Sequence, residues 1–235
     1  MSESVSCDGM PIEYVSDAET LNALCAEWAS EEFLAIDTEF ERTSTFYARI
    51  GLLQIADSKC CYLVDPLSID DWSGFKRLLS TSSCTLVMHS CSEDLSLLQT
   101  FLGCLPVSLF DTQLAAAFLG IGFSISYQAL IEQLLGVVVA KDETRSDWIK
   151  RPLSEKQIHY AAADVRYLLQ VCEILSNQLD QKGMLNWLRA ESRQQLVIAH
   201  RLEQESQWES YYTGVSNAWR LNTQGLQALR QLCVW

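Results

Sequence analysis

What this chain lacks narrows its function first. No apolar run approaches the roughly 18 residues that a membrane span requires. The N-terminus also lacks the basic-then-apolar layout of a secretion signal, so a cytoplasmic protein with no membrane partner is expected. The nine cysteines form no C-x-x-C pair, are odd in number and fall mostly in apolar stretches, which reads as reduced core residues and excludes a disulfide framework or a cysteine zinc site. No G-x-G-x-x-G follows the first strong strand, so a dinucleotide-binding fold is not expected. There is no internal repeat, low-complexity tract or Gly-rich phosphate loop either.

Basic residues are scarce. Lys and Arg number 17 against 30 Asp and Glu in 235 residues, a formal net charge of −13. Such a balance argues at first against a phosphate-rich partner, which normally meets a basic surface. The distribution weakens that objection. Residues 1–32 contain Glu3, Asp8, Glu13, Asp17, Glu19, Glu27, Glu31 and Glu32 with no Lys or Arg, so most of the excess sits at one end. Residues 78–140 are likewise free of Lys and Arg. If clustered carboxylates hold divalent cations, the ions stand in for basic side chains at a substrate phosphate.

What is present is an alternation of strands and helices. Ser16-Asp17-Ala18-Glu19 has the form of a capping box and opens a helix through Leu21, Leu24 and Trp28. The apolar run Phe33 to Phe40 reads as a buried strand, followed by a hairpin made of Ile50 to Ala56, the turn Asp57-Ser58, and Lys59 to Asp65. A helix over Asp71 to Leu79 and a strand over Thr85 to His89 come next, then a helix Glu93 to Phe101 that Ser92 can cap. The short strand Val107 to Phe110 feeds a helix from Asp111 to Leu119, and Ser126 starts another that Gly136 ends. After a charged loop from Lys141 to Arg151, the capping box Ser154 to Gln157 opens a helix expected to run to Leu179. An α/β fold with a mixed sheet follows from this order.

The central strand ends in Asp37-Thr38-Glu39. Side chains alternate faces along a strand, so both carboxylates leave the same side and repel each other. Either they are solvated at a surface strand end, or a hard divalent cation holds them. Asp94 lies in the first turn of a helix, where the helix dipole alone would favour an acid. Asp164 follows Ala161-Ala162-Ala163, and Tyr160 shares its helical face four residues earlier, which also suits a simple hydrogen-bonded pair. In an α/β sheet, sites gather outside strand ends. An oxygen-only set of this kind suits Mg²⁺ or Mn²⁺ rather than zinc.

Taken in order, Ala35 to Phe40, His89 to Asp94, Phe110 to Leu114, and Ser146 to Leu153 leading into Tyr160-Ala161-Ala162-Ala163-Asp164-Val165 resemble the DEDD superfamily of 3′-to-5′ exonucleases. Within it, they resemble the Tyr-x-x-x-Asp subgroup and the ribonuclease D family. The resemblance spans about residues 12 to 210. It implies a ribonuclease H-like mixed five-stranded sheet flanked by helices, with a helical C-terminal extension. It also implies two divalent metal ions, Mg²⁺ or Mn²⁺, on Asp37, Glu39, Asp94 and Asp164, with Tyr160 orienting the attacking water. Asp37 would bridge the ions, Glu39 and Asp164 would complete the nucleophile side, and Asp94 would support the leaving-group side. Glu39 would also recognise the terminal 3′ hydroxyl. The implied activity is exoribonuclease release of nucleoside 5′-monophosphates from tRNA precursors and other structured RNAs, and no oligomer is implied.

Alternatives remain at several positions. His89 is either a contact to the terminal nucleotide or a hydrogen-bonded strand-end residue. Lys141 and Arg145 are either phosphate contacts or solvated loop charges. Trp148 reads as packing beneath that loop more than as a base platform, and Asp111 as a helix cap outside the metal set. The same site would serve a proofreading type of DNA exonuclease, and a catalytically silent RNA-binding module is the rival outside enzymes. Residues 1–210 are expected to form the nuclease domain, including a helix from Met184 to Trp208. Residues 211–235 would be a linker and the first helix of a truncated helical nucleic-acid-binding domain, either in a piece of a longer parent that continues past Trp235 or in a natural short form.

Overall fold

A computed structural model describes residues 6–42, 47–81, 83–139, 146–202 and 211–234. The expected central strand is β3 (Phe33–Glu41), and the expected hairpin is β4 (Arg49–Ala56) with β5 (Cys61–Val64). At the turn, the Asp57 carboxylate accepts from the backbone N–H groups of Lys59 and Cys60 at 2.7 and 2.9 Å. β6 (Thr85–Met88) and β7 (Leu109–Asp111) run parallel to β3 on its other side. Those five strands form the mixed sheet anticipated from the pattern. Two more, β1 (Ser6–Cys7) and β2 (Met10–Val15), extend it to seven strands in the order β1-β2-β5-β4-β3-β6-β7. Their acidic, broken apolar pattern hid them: β2 joins the sheet by adding parallel to the edge of β5, and β1 then pairs antiparallel with β2.

Strict alternation along β3 divides the core. Leu34 and Ile36 face one side with Leu53 and Ile55 of β4, under α1 (Ala18–Trp28), α2 (Ser73–Leu79) and α3 (Ser92–Leu102). Ala35 and Ala56 face the other side, where α4 (Thr112–Phe118), α5 (Tyr127–Leu135), α6 (Glu155–Arg166) and α7 (Leu168–Gln181) lie. Small residues meet small residues there: Ala162 of α6 packs in the same cluster as Ala35 and Ala56, which brings that helix close to the sheet. All nine cysteines are unpaired. Among the described residues no helix is long and apolar enough to cross a membrane.

Several boundaries differ from the sequence expectation for identifiable reasons. Asp17, not Ser16, caps α1, accepting from the backbone and hydroxyl of Thr20 at 2.8 and 2.9 Å. Ser92 does not cap α3; the preceding Ser90 and Cys91 N–H groups instead donate to Asp111. The long helix expected from Ser154 to Leu179 is divided at Tyr167. The Tyr127 hydroxyl donates to the Ala163 carbonyl at 2.9 Å and accepts from the Tyr167 N–H at 3.4 Å, occupying the two groups that would have bonded each other in a continuous helix. The helix expected from Met184 to Trp208 is α8 (Leu185–Leu202), and residues 203–210 fall outside those described. Two short 3-10 turns, Tyr212–Gly214 and Ala218–Arg220, precede α9 (Thr223–Val234).

The loop ahead of α6 is fixed to the sheet by one ion pair. Arg151 Nε and Nη2 reach the two oxygens of Asp65 at 2.8 and 2.7 Å, while Nη2 also donates to the Gly51 carbonyl at 2.6 Å and Nη1 to the Trp148 carbonyl at 2.8 Å. Burial works to raise the Asp65 pKa, but hydrogen bonds from Arg151 and Tyr14 prevail and hold it at about 2. The loop lies so near β4 that a Cβ on Gly51 would stand 2.7 Å from both Cβ and the backbone oxygen of Trp148. Gly51→Ala should therefore destabilise the protein by about 1–3 kcal/mol, the usual cost of overpacking against backbone. Urea unfolding of the variant beside the parent checks this, and an unchanged midpoint would show that the loop is free to retreat.

Candidate active site

The two ends of α6 and one end of β3 determine the site. Ser154 caps α6 while Gln157 Oε1 accepts from the Ser154 N–H at 2.9 Å, so the expected capping box forms and fixes where the helix begins. One turn later Tyr160 emerges, and one turn after that Asp164. Alternation puts Asp37 and Glu39 on the β3 face that α6 covers. Carboxylate oxygens of Asp37, Glu39 and Asp164 all lie within 4.8 Å of one another. The Tyr160 hydroxyl hydrogen-bonds to Asp164. A shift in the β3–β4 register between Glu39 and Phe40 ends the regular ladder beside the cluster.

Asp94 belongs to the site but not to the tight trio. It comes from α3, on the opposite face of the sheet, and its Oδ1 accepts a hydrogen bond from the Thr38 hydroxyl. Thr38 points that way because it alternates with Asp37 and Glu39. Sequence reading passed over Thr38 as the spacer of D-x-E, although a hydroxyl on the reverse face of such a motif is a visible signal for an acid held from behind.

Electrostatics set the need for a cation. Burial is the first cause raising the Asp37 pKa well above the carboxylate range, with the charges of Asp94, Asp164 and Glu39 adding to it. Burial and the same neighbours push Glu39 up to about 9. Burial raises Asp164 to about 7 against the Tyr160 hydrogen bond, and raises Asp94 to about 6 against the Thr38 hydrogen bond. Burial, then Asp164 and Glu39, also move the Tyr160 phenol far upward, so it is a neutral hydroxyl. Four crowded carboxylates with oxygen donors only fit hard divalent cations, which replace the protons such a cluster otherwise retains.

The remaining sequence candidates separate cleanly. His89 is the hydrogen-bonded strand-end residue: its Nε2–H donates to the Ile125 carbonyl at 3.0 Å and Nδ1 pairs with the Thr112 hydroxyl at 2.9 Å. Burial lowers its pKa, so the ring is neutral with both nitrogens engaged inside the chain, as the strand-end reading expects. Asp111 caps α4 through Gln113 and Leu114, and it also accepts from Ser90, Cys91 and Gln195, which accounts for its carboxylate without a metal. Trp148 is 2 % exposed and packs with Leu52, Leu63 and Ala161, so it is a packing residue. Lys141 and Arg145 lie outside the described residues.

A pH dependence follows from these shifts. The unfolded chain releases its carboxylate protons near pH 4, whereas the folded, metal-free cluster keeps protons until about pH 6 on Asp94, about pH 7 on Asp164 and about pH 9 on Glu39. Across that window the folded state binds more protons, so metal-free stability falls as pH rises from 4 to 9. Melting temperature in a chelator should drop across the window, and adding Mg²⁺ or Mn²⁺ should raise it more at pH 8 than at pH 5. A stabilisation by metal that is equal at the two pH values would contradict this electrostatic reading.

A model of the family described as 3′-5′ exonuclease matches residues 12–180. Ribonuclease D of Pseudomonas paraeruginosa is 42% identical over 224 residues, covering 95% of this chain and 58% of the relative. Ribonuclease D of Haemophilus influenzae is 39% identical over 230 residues, covering 97% and 57%. The crystal structure of Escherichia coli RNase D, described as an exoribonuclease involved in structured RNA processing, superposes with a TM-score of 0.86 at 37% identity, covering 96% of this chain and 60% of that one. This chain thus spans less than two thirds of the relatives it matches. With Asp37-x-Glu39, Asp94 and Tyr160-x-x-x-Asp164 all inside the matched span, the chain belongs to the 3′-5′ exonuclease family and resembles the ribonucleases D.

Proposed function

We propose that this chain carries the catalytic domain of a divalent-metal-dependent 3′-to-5′ exoribonuclease. The observation that supports this most is the trio of Asp37, Glu39 and Asp164, whose oxygens lie within 4.8 Å of one another, with Asp94 and Tyr160 beside it. Residues 1–210 form the nuclease domain in this reading, and residues 211–235 the linker and first helix of a helical nucleic-acid-binding domain. The substrates are RNA 3′ ends, tRNA precursors and other structured RNAs among them, met in the cytoplasm. The E. coli ribonuclease D, an exoribonuclease involved in structured RNA processing, supports that choice.

Two divalent cations, Mg²⁺ or Mn²⁺, would supply the charge that makes a water nucleophilic near neutral pH and steadies a departing 3′ oxygen. Asp37, central to the cluster, would hold both ions. Glu39 and Asp164 would complete one position, and Asp94, held by Thr38, would support the other. The neutral Tyr160 hydroxyl, already hydrogen-bonded to Asp164, orients the attacking water toward the scissile phosphate. Glu39 accepts from the terminal 3′ hydroxyl, which restricts cleavage to chain ends and yields nucleoside 5′-monophosphates.

Incubation of 3′-labelled RNA and DNA with the protein, with and without Mg²⁺ or Mn²⁺, tests the proposal. RNA should be shortened from its 3′ end only when metal is present. Preferred cleavage of DNA would reassign the chain to proofreading-type chemistry, and binding without cleavage would make it a silent module. Asp37→Asn should abolish turnover while keeping the fold, because it removes charge from a repulsive cluster. Retained activity in that variant would end the two-metal reading.

Tyr160→Phe should lower kcat by about 10²–10⁴ with little change in RNA affinity, as loss of a group that positions the nucleophile does. Unchanged turnover would return Tyr160 to the part of a hydrogen-bonded helix residue.

A further inference from the structure

Gln54 has no partner for either end of its amide. It lies in the middle of β4, is 0 % exposed, and neither Oε1 nor Nε2 meets a hydrogen-bonding group of the protein. Leaving such a group unpaired in an interior costs about 1–3 kcal/mol, so a glutamine there needs a reason that packing does not provide. Its flanking strand partners define what it can reach. On one side the register sets it opposite Leu63 of β5, which offers only hydrocarbon. On the other it stands opposite Asp37 of β3.

Residues directly opposed in an antiparallel pair project from the same face, with Cβ atoms about 4.5–5.5 Å apart. Gln54 and Asp37 therefore share the face covered by α6. Leu52, two residues earlier on that face, is clustered with Leu63, Trp148 and Ala161, so the layer around the amide is otherwise apolar. Tyr160 packs against the edge of the same cluster. A primary amide is an uncharged donor. It can steady a carboxylate without competing for the cation, whereas a Lys or Arg in the same place would neutralise Asp37 and displace the metal.

We propose that Gln54 is a positioning residue for the metal site: its Nε2–H donates to the Asp37 carboxylate when a cation is bound, and so fixes the orientation of the carboxylate. The assignment rests on the metal-dependent reading of the cluster. The amide has no partner within the protein, and an Asp37 carboxylate oriented by a bound cation is the acceptor its strand position offers. The rival is a structural amide satisfied by trapped water, which would leave metal affinity independent of the side chain.

The test uses the whole chain and Gln54→Met, which preserves shape and removes both polar ends, with Gln54→Leu as a second variant. Mn²⁺ binding is measured by titration calorimetry, and melting temperature in chelator reports the fold. Loss of an outer hydrogen bond to a metal ligand characteristically weakens affinity by about 10–100-fold, and that loss is expected here with chelator stability equal to or above the parent's. Turnover should fall at saturating RNA while KM holds. Should neither variant fold, the Gln54 side-chain NH₂ resonance of the parent should move when diamagnetic Mg²⁺ is added. Parent-like Mn²⁺ affinity in a folded variant, or an amide resonance indifferent to Mg²⁺, would overturn the assignment. A parent chain that binds no Mn²⁺ would instead overturn the metal-dependent function itself, whatever Gln54 does.

Discussion

Mutual repulsion among buried carboxylates is the constraint from which the rest of this structure follows. Asp37, Glu39, Asp94 and Asp164 are all driven toward their neutral forms by burial, and Asp37 and Glu39 also by the charges of the acids around them. A chain left to itself would separate them. It keeps them together by drawing each from an element whose position is set elsewhere: β3 by its pairing with β4 and β6, α6 by its capping box and its alanine contact with the sheet, and α3 by the backbone contacts of Asp111. None of these supports depends on the acids themselves. The strain of assembly is therefore carried by the apolar core, and it is relieved when cations arrive.

The two faces of β3 divide the labour. Asp37 and Glu39 look toward α6 and form the tight trio with Asp164, while Thr38 looks toward α3 and secures Asp94. One strand end thus gathers acids from both layers of the fold. The Asp65–Arg151 pair does similar work at a distance, since it fastens the loop ahead of α6 to β4 and β5 and so settles the height at which Tyr160 and Asp164 enter.

How much of this could be read from sequence depended on the range of the interaction. The apolar runs of the five central strands, the hairpin turn at Asp57 and the Ser154 capping box are each legible within a few consecutive residues, and they formed near where the pattern put them. The four acids and Tyr160 were legible because their spacing is a motif. What escaped depends on partners far along the chain. The strands β1 and β2 exist only because β5 offers an edge, and the break at Tyr167 is made by Tyr127, 40 residues earlier. Thr38 and Gln54 are silent in sequence for the same reason, since their importance lies in which residue the sheet register sets behind or beside them.

The interruption at Tyr167 also bears on the stiffness of the site. A helix continuing unbroken into α7 would transmit any bend of its far half to the acid it carries. Here the ladder stops three residues past Asp164, and the phenol of α5 clasps Ala163 and Tyr167 as a cross-brace. With a cap at its first turn and a brace at its last, α6 behaves as a strut cut to length. The distance between Tyr160 and Asp164 is then a property of the strut, insulated from movement in α7 and beyond, in the one part of the molecule where like charges push hardest to change it.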